Sequence, residues 1–220
     1  MKHFEEELQD LNNDILKMAT LTEEAIHLSI QALKDRDPDL AQMVVDQDAR
    51  VDNMELLIDE KCLDLIARHQ PMAKDLRFIA TAMQLNGELE RIADIAVDIA
   101  QRVLEMVDEP LLKPLVTIPK LTLVAKTMVK MSIDAFIARD AELARKVLLT
   151  DPEADNLRNS IHKELVEEFM MKDPATCPRA VQLLLIARFL ERICDHATYI
   201  AEDTIYMISG EFIKHHPEKI

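Results

Sequence analysis

The sequence has 220 residues and a formal net charge of -15, with 49% hydrophobic residues, 4% aromatic residues and two glycines. The acidic charge argues against nucleic acid as a partner, because phosphates need Lys and Arg to displace their counterions, and equally against electrostatic docking on anionic lipid. Residues that favour helix dominate the composition, so we predict an all-α protein.

The first half of the chain is predicted to form three long helices. Apolar residues recur at three- and four-residue spacing over residues 4–33, and Asp37-Pro38 ends this first helix and caps the second. The second helix runs to about His69, before the break at Gln70-Pro71, and the third ends near Met106.

A proline-rich linker over residues 108–118 precedes a second set of three helices. Gly210 supplies a stop signal at the end of the last one. The predicted helices run from about Pro119 to Arg139, from there to about Lys172, and from about Arg179 to Ser209.

The second set of helices is a diverged copy of the first. Eight of the twelve residues from Leu89 to Ala100 are identical to those from Leu190 to Ala201. Over residues 36–58, nine positions match identical residues 103 positions later. We therefore predict two tandem three-helix bundles that arose by internal duplication, spanning residues 1–107 and 119–220.

Acidic residues one helical turn apart recur at matched positions of the two copies. Positions i and i+4 share one face of a helix, so each pair presents two carboxylates to one point. In each copy one pair falls on the second helix and one on the third, and we expect the two pairs to face each other. Such a cluster needs a counter-charge because like charges raise one another's pKa, and oxygen-only sites suit Mg²⁺, Mn²⁺ or iron. The pairs are Asp48/Asp52, Glu90/Asp94, Asp151/Asp155 and Glu191/Asp195.

The same acids also fit a solvated face of a helical bundle. Glu90 and Asp94 lie at the border of an apolar arc, where an ordinary bundle rim also carries acids. The acids of residues 48–59 form one stripe, which is typical of a wet surface. Asp151 precedes Pro152 and would cap a helix that restarts there.

The chain resembles the PhoU family of phosphate-signalling regulators. The resemblance rests on the duplicated three-helix unit, on Asp75-Leu76-Arg77, and on Leu89-Glu90-Arg91-Ile92-Ala93-Asp94 with its copy Leu190-Glu191-Arg192-Ile193-Cys194-Asp195. The acid-x-x-x-Asp motif of the family matches all four acid pairs. The resemblance implies metal clusters of iron, zinc, manganese or magnesium, held by these pairs and by Asp98.

The resemblance also implies a regulatory role without catalysis. A member of this family would be a cytoplasmic homodimer and an adaptor between the ATPase subunit of a phosphate ABC transporter and a sensor histidine kinase. It would restrain the kinase when phosphate is plentiful, and so act as a negative regulator of the phosphate regulon.

The chain departs from the family pattern in ways that distinguish its two copies. The family often has Gly before the motif Asp, where this chain has Ala93 and Cys194, and Asn one turn later, where it has Asp98 and Tyr199. Asp98 keeps an oxygen ligand, whereas Tyr199 is a poorer one. The second copy also lacks the Asp-Leu-Arg triplet, so we expect the first repeat to bind metal more tightly.

Two other functions are alternatives for the predicted helices. A ferritin-like di-metal enzyme needs Glu-x-x-His on two helices, but Glu24-Ala25-Ile26-His27 is the only such match and has no repeat partner, which argues against this function. A metal-independent helical scaffold, or an accessory subunit of a different phosphate transporter, shares the predicted fold. His196 beside Asp195 is a candidate ligand or base, although a lone helix histidine is more often structural.

Cysteine usage and hydropathy indicate a reducing compartment. Cys62, Cys177 and Cys194 are odd in number and lack CxxC spacing, so we predict free thiols. No apolar run has the length of a membrane span, and the first residues lack the apolar core of a signal peptide. We therefore expect the protein to be cytoplasmic.

Overall fold

The computed structural model describes residues 2–211 as an all-α structure, with no strand in that range. Met1 and residues 212–220, which the two predicted repeats include, lie outside the described part. No helix in the described part is both long and apolar enough to cross a membrane. The six helices are α1 (Lys2–Asp35), α2 (Pro38–His69), α3 (Lys74–Met106), α4 (Thr117–Ala138), α5 (Ala141–Glu164) and α6 (Cys177–Ser209).

Helix ends lie where the sequence places capping residues. The Asp37 carboxylate accepts a hydrogen bond from the Leu40 N–H (3.0 Å), and Asp140 caps α5 in the same way. At the end of α6, Gly210 has φ +76° and donates its N–H to the Tyr206 carbonyl (2.8 Å). The left-handed conformation at Gly210 favours glycine because a Cβ would strain it, so the predicted stop is confirmed.

The fifth helix departs from the prediction of an α-helix to Lys172. Regular α5 ends at Glu164 and continues as a π-helical turn over Leu165–Met170. This wider turn keeps Phe169 and Met170 packed against the core before the chain turns. A short 3₁₀ turn at Pro174–Thr176 then leads into α6.

The six helices form the two predicted three-helix units, which pack against each other. Helices α1, α2 and α3 contact one another, as do α4, α5 and α6, and the units meet mainly through α3 and α6. Phe78 of α3 stacks on Phe136 of α4, with ring centroids 5.2 Å apart and planes at 16°. The Arg139 guanidinium lies 4.8 Å from the centroid of Phe78. The buried apolar residues of both repeats therefore form one continuous core.

The segment between α3 and α4 is held by side chains of both repeats. The Arg36 guanidinium donates to the Val107 carbonyl (2.8 Å), and Arg179 donates to the Pro110 carbonyl (3.2 Å). Leu112 packs against the core. These contacts hold the connecting segment in place at Val107, Pro110 and Leu112.

All three cysteines are free thiols, as predicted. Cys62 and Cys194 are buried and Cys177 is half-buried. Burial raises the pKa of the Cys62 thiol to about 12, and it raises the pKa of Cys194 as well. Both therefore stay protonated at neutral pH and act as small core residues.

Candidate functional site

The acid pairs of α2 and α3 come together at the packed surface of these two helices. Asp48 is half-buried, and burial raises the pKa of its carboxyl. The charges of Asp52 on the same helix and Asp94 on the neighbouring helix raise this pKa further. Asp94 is more exposed than Asp48, and partial desolvation and then the charge of Asp52 raise the pKa of its carboxyl. Side chains of the two helices thus act on each other, and we call this group of acids the first cluster.

Glu90 has the most perturbed carboxyl of the first cluster. Burial raises its pKa to about 6, and the charges of Asp94 and Glu55 add to the effect. Hydrogen bonding to the Glu90 side chain lowers the pKa of Asp94 and offsets part of its increase. Asp98 lies within electrostatic range of Asp94, whose pKa its charge raises.

Glu55 belongs to the first cluster, although the sequence placed it only in a solvated stripe. Burial raises the pKa of its carboxyl, and the charges of Asp59 and Asp52 raise it further. Asn86 of α3 is fully buried. Its side-chain amide donates hydrogen bonds to the Asp59 carboxylate (2.9 Å) and to the backbone carbonyl of Glu55 (2.8 Å). The spacing of Glu55 from Asp52 was the available signal, since residues three apart share a helix face.

The acid pairs of α5 and α6 form a second cluster in the second repeat. Burial raises the pKa of Asp151, and the charges of Asp155 and Glu191 raise it further. Burial also raises the pKa of Asp195, with further contributions from Asp151 and Asp155. Helix α5 runs without a break through Pro152, so the alternative in which Asp151 caps a restarting helix is wrong.

The second cluster contains two arginines that the first cluster lacks. The Glu191 side chain is 7% exposed, and its Oε2 pairs with Nη1 of Arg188. Its Oε1 lies 3.5 Å from Nη2 of Arg158, which is also 3.7 Å from the Asp155 carboxylate. Sequence reasoning missed both arginines.

The chemistry of the two clusters suits cations to different degrees. In the described part of the chain, no three His, Cys, Asp or Glu side chains are already arranged to hold a metal ion. The first cluster nevertheless offers only carboxylate oxygens, which hard divalent cations prefer. Over the range that the structure describes, its acids form no ion pair with an arginine, although the charge of Arg91 lowers the pKa of Glu90 and Asp94. The residues of the first cluster therefore offer the donor type of a hard cation, whereas Glu191 and Asp155 of the second already pair with guanidinium groups.

A family model described as the PhoU domain matches the chain twice, over residues 15–103 and 118–204. These two matches cover most of both repeats. The chain belongs to the PhoU family. The matches place one PhoU domain on α1–α3 and the other on α4–α6.

Proteins of the PhoU family resemble this chain over nearly its full length. A phosphate-specific transport system accessory protein PhoU homolog of Aquifex aeolicus is 39% identical, over 98% of this chain and 96% of that one. A homolog of the same name from Clostridium acetobutylicum is 34% identical, over 96% of each. The names of these relatives describe accessory proteins and no enzyme.

Solved PhoU structures have the same fold. The crystal structure of PhoU from Pseudomonas aeruginosa superposes with a TM-score of 0.90 at 36% identity, over 94% of this chain and 100% of that one. A phosphate transport system regulatory protein PhoU from Streptococcus pneumoniae gives 0.88 at 26% identity, over 95% and 98%. The two-repeat architecture is therefore that of PhoU.

Of the histidines that the sequence suggests as ligands or bases, His196 is paired with a glutamate and His27 is exposed in this PhoU fold. Nδ1 of His196 lies 2.5 Å from Oε2 of Glu88, so the pair joins α6 to α3. This contact favours the structural role for His196. Glu24 and His27 are both exposed on α1, whereas a ferritin-like site needs ligands that project into a bundle core.

We expect a Glu90→Gln variant of this PhoU-family protein to be more stable than the wild type at neutral pH. The folded-state pKa of Glu90 is raised, so its contribution to stability is full below about pH 4.5 and is lost as the pH rises through about 6. The glutamine has no charge to desolvate, so we expect a gain of about 1 kcal/mol at pH 7.5 after allowance for solvent screening. Urea unfolding in chelator at pH 4 and pH 7.5 measures this.

Glu153→Gln, on an exposed position of α5, is the matched control for this prediction. The control is expected to change stability by less than about 0.5 kcal/mol at either pH. An equal effect of Glu90→Gln at pH 4 and pH 7.5 would show that ionisation of Glu90 does not destabilise the fold.

Proposed function

We propose that this protein is a cation-binding regulator of phosphate uptake that acts in the cytoplasm. In this proposal it links the ATPase subunit of a phosphate ABC transporter to a sensor histidine kinase and restrains the kinase when phosphate is plentiful. The observation that carries the proposal is the near-full-length similarity to proteins named as accessory components of a phosphate-specific transport system. The protein thereby acts as a negative regulator and performs no catalysis.

The first cluster supports the part of the proposal that concerns cations. Its acids come from two helices, and burial and mutual repulsion raise the pKa values of Asp48, Glu90 and Asp94. A divalent cation such as Mg²⁺, Mn²⁺, iron or zinc would remove this repulsion, with Asp48, Asp52, Glu90, Asp94 and Asp98 as oxygen ligands. Because the ligands lie on α2 and α3, a bound ion would tie these helices together.

Exposed apolar residues on α2 support a role in binding other proteins. Leu56 is 67% exposed, and Leu57 and Leu63 are also exposed on this helix. Apolar side chains grouped on one helix are stabilised when a partner covers them. We propose that a partner protein binds to α2 beside the first cluster. This partner is the transporter, the kinase or a second copy of the chain in a homodimer. The cation of the first cluster and the partner protein would then both act on α2.

Repression in the host cell tests this function. We expect deletion of the gene to raise a phosphate-regulon reporter in phosphate-rich medium, and the wild-type gene to restore repression. An Asp52→Asn, Glu90→Gln, Asp94→Asn variant should leave the reporter near the deletion level, because it lacks three proposed cation ligands. The control variant removes three exposed acids that lie outside the clusters, by Asp134→Asn, Glu142→Gln and Glu168→Gln.

The outcomes of this experiment separate the parts of the proposal. Full repression by the triple first-cluster variant would remove the cation from the mechanism and leave the regulatory role. A reporter that does not respond to deletion would contradict the regulatory role itself.

A metal-independent scaffold is the second candidate function. It is favoured by the lack, among residues 2–211, of three potential ligands already arranged for a metal ion. Elemental analysis of protein purified without chelator distinguishes the two candidates. A scaffold contains no bound metal and does not respond to added ions, whereas the proposed regulator retains or takes up a cation.

A further inference from the structure

We propose that Arg158 and Arg188 act as the counter-charges of the second cluster. Because these arginines occupy the place of an external cation, the second cluster does not bind the cation that the first cluster binds. The inference rests on the proposed cation binding by the first repeat and goes beyond it, because it assigns different roles to the two repeats. Under this assignment the protein takes cations in one repeat only and neutralises the other with its own side chains.

The ion pairs of Glu191 carry the first step of the argument. Glu191 occupies the position in α6 that Glu90 occupies in α3, and its side chain is only 7% exposed. Each of its two carboxylate oxygens faces a guanidinium group, Oε1 that of Arg158 and Oε2 that of Arg188. An oxygen that already accepts from a guanidinium has less electron density to offer an incoming ion, and a cation approaching it meets positive charge.

The matched positions of the first repeat carry the second step. Arg158 corresponds to Glu55 and Arg188 corresponds to Gly87, at the offsets of 103 and 101 that align the two copies. The first repeat therefore has an extra acid where the second has a base, and no side chain where the second has another base. The same helix pair thus carries more negative charge in the first repeat than in the second.

Space around these positions allows the charges to be exchanged. A Cβ built at Gly87 meets no atom within 4 Å, so a side chain can begin there without a clash. Glu55 is half-buried at the edge of the first cluster, as Arg158 is in the second. Glu55 already acts electrostatically on Glu90. We therefore expect arginines at these two positions to pair with Glu90 as their counterparts pair with Glu191.

Transfer of the charges between repeats tests the inference, with Mn²⁺ as the probe and free Mn²⁺ measured by electron paramagnetic resonance. The background is the full-length chain with Asp52→Asn, Glu90→Gln and Asp94→Asn, which disables the first cluster. In this background we expect weak Mn²⁺ binding, and we expect Arg158→Glu with Arg188→Gly to strengthen it at least tenfold. Lys130→Gln with Lys172→Glu gives the same change in net charge at two exposed lysines and should not strengthen it.

The reverse transfer guards against misfolding of the first variant. In the otherwise wild-type chain, Glu55→Arg with Gly87→Arg should weaken Mn²⁺ binding at least tenfold, while circular dichroism reports the fold. Unchanged affinity in both transfers would overturn the inference, as would two equal Mn²⁺ sites in the wild type. If the wild-type protein takes up no Mn²⁺, the proposed cation role of the first cluster is contradicted. The inference about the arginines is still tested, because it depends on whether Arg158→Glu with Arg188→Gly increases Mn²⁺ affinity.

Discussion

Replacing Phe136 with alanine is expected to lower the free energy of unfolding by about 3–5 kcal/mol. Phe136 is fully buried, and its ring stacks on Phe78 across the boundary between the two repeats. The substitution removes the apolar contacts of the ring, leaves a cavity, and deprives Phe78 of its aromatic partner. Urea unfolding monitored by circular dichroism measures the loss, and the variant should still fold at 25 °C if the wild type is of ordinary stability.

Leu123→Ala on the same helix is the control for the Phe136 prediction. Leu123 is 68% exposed, so we expect its loss to cost less than about 0.5 kcal/mol. A similar small cost for Phe136→Ala would mean that the contact between the repeats does not contribute to stability. A loss of the α4–α6 unit alone, seen as a separate transition, would mean that the repeats unfold independently.

Adding Mn²⁺ to chelator-treated protein at 100 times its Kd is expected to raise the free energy of unfolding by about 2.7 kcal/mol. For a chain of this length the melting temperature should rise by about 5–10 °C. The reason is that folding brings the acids of α2 and α3 together, whereas the unfolded chain keeps them apart and binds the ion weakly. Differential scanning calorimetry with and without the ion measures the shift.

Two variants make the cation prediction specific to the first repeat. Asp52→Asn, Glu90→Gln and Asp94→Asn together should abolish the shift and make the metal-free protein more stable, because they remove the repulsion. Glu90→Ala should weaken binding more than Glu191→Ala, since Glu191 is already paired with arginines. A larger loss from Glu191→Ala, or an equal shift in sodium chloride of the same ionic strength, would contradict the prediction.

The helices and the duplication could be predicted because each rests on local or repeated signals. Asp37-Pro38 and Gly210 fix helix ends through capping, which depends only on neighbouring residues. The π-helical turn at Leu165–Met170 has no capping residue, glycine or proline to mark it, and Phe169 and Met170 within it pack against the core. Predictions failed where tertiary packing decided the local geometry.

The four acid pairs of the candidate site were predictable as a set, whereas Glu55 and the arginines of the second cluster were not. Matched positions in the two copies identified the four acid pairs, and the structure places acids of α2 near those of α3. Arg158 and Arg188 differ from their counterparts, so a search for repeated residues passes over them. The two copies differ in charge at these positions, and the sequence shows that difference. Only the packed helices show that the arginines pair with Glu191.

The contact between α3 and α6 has a consequence for the ancestry of the protein. These helices occupy equivalent positions in the two repeats, so the halves meet through like surfaces. A single repeat standing alone would leave that surface, including Phe78, in water, and a second identical copy would cover it with approximate two-fold symmetry. The present chain thus has the form expected when the genes for such a pair fuse, after which each half is free to acquire its own charges.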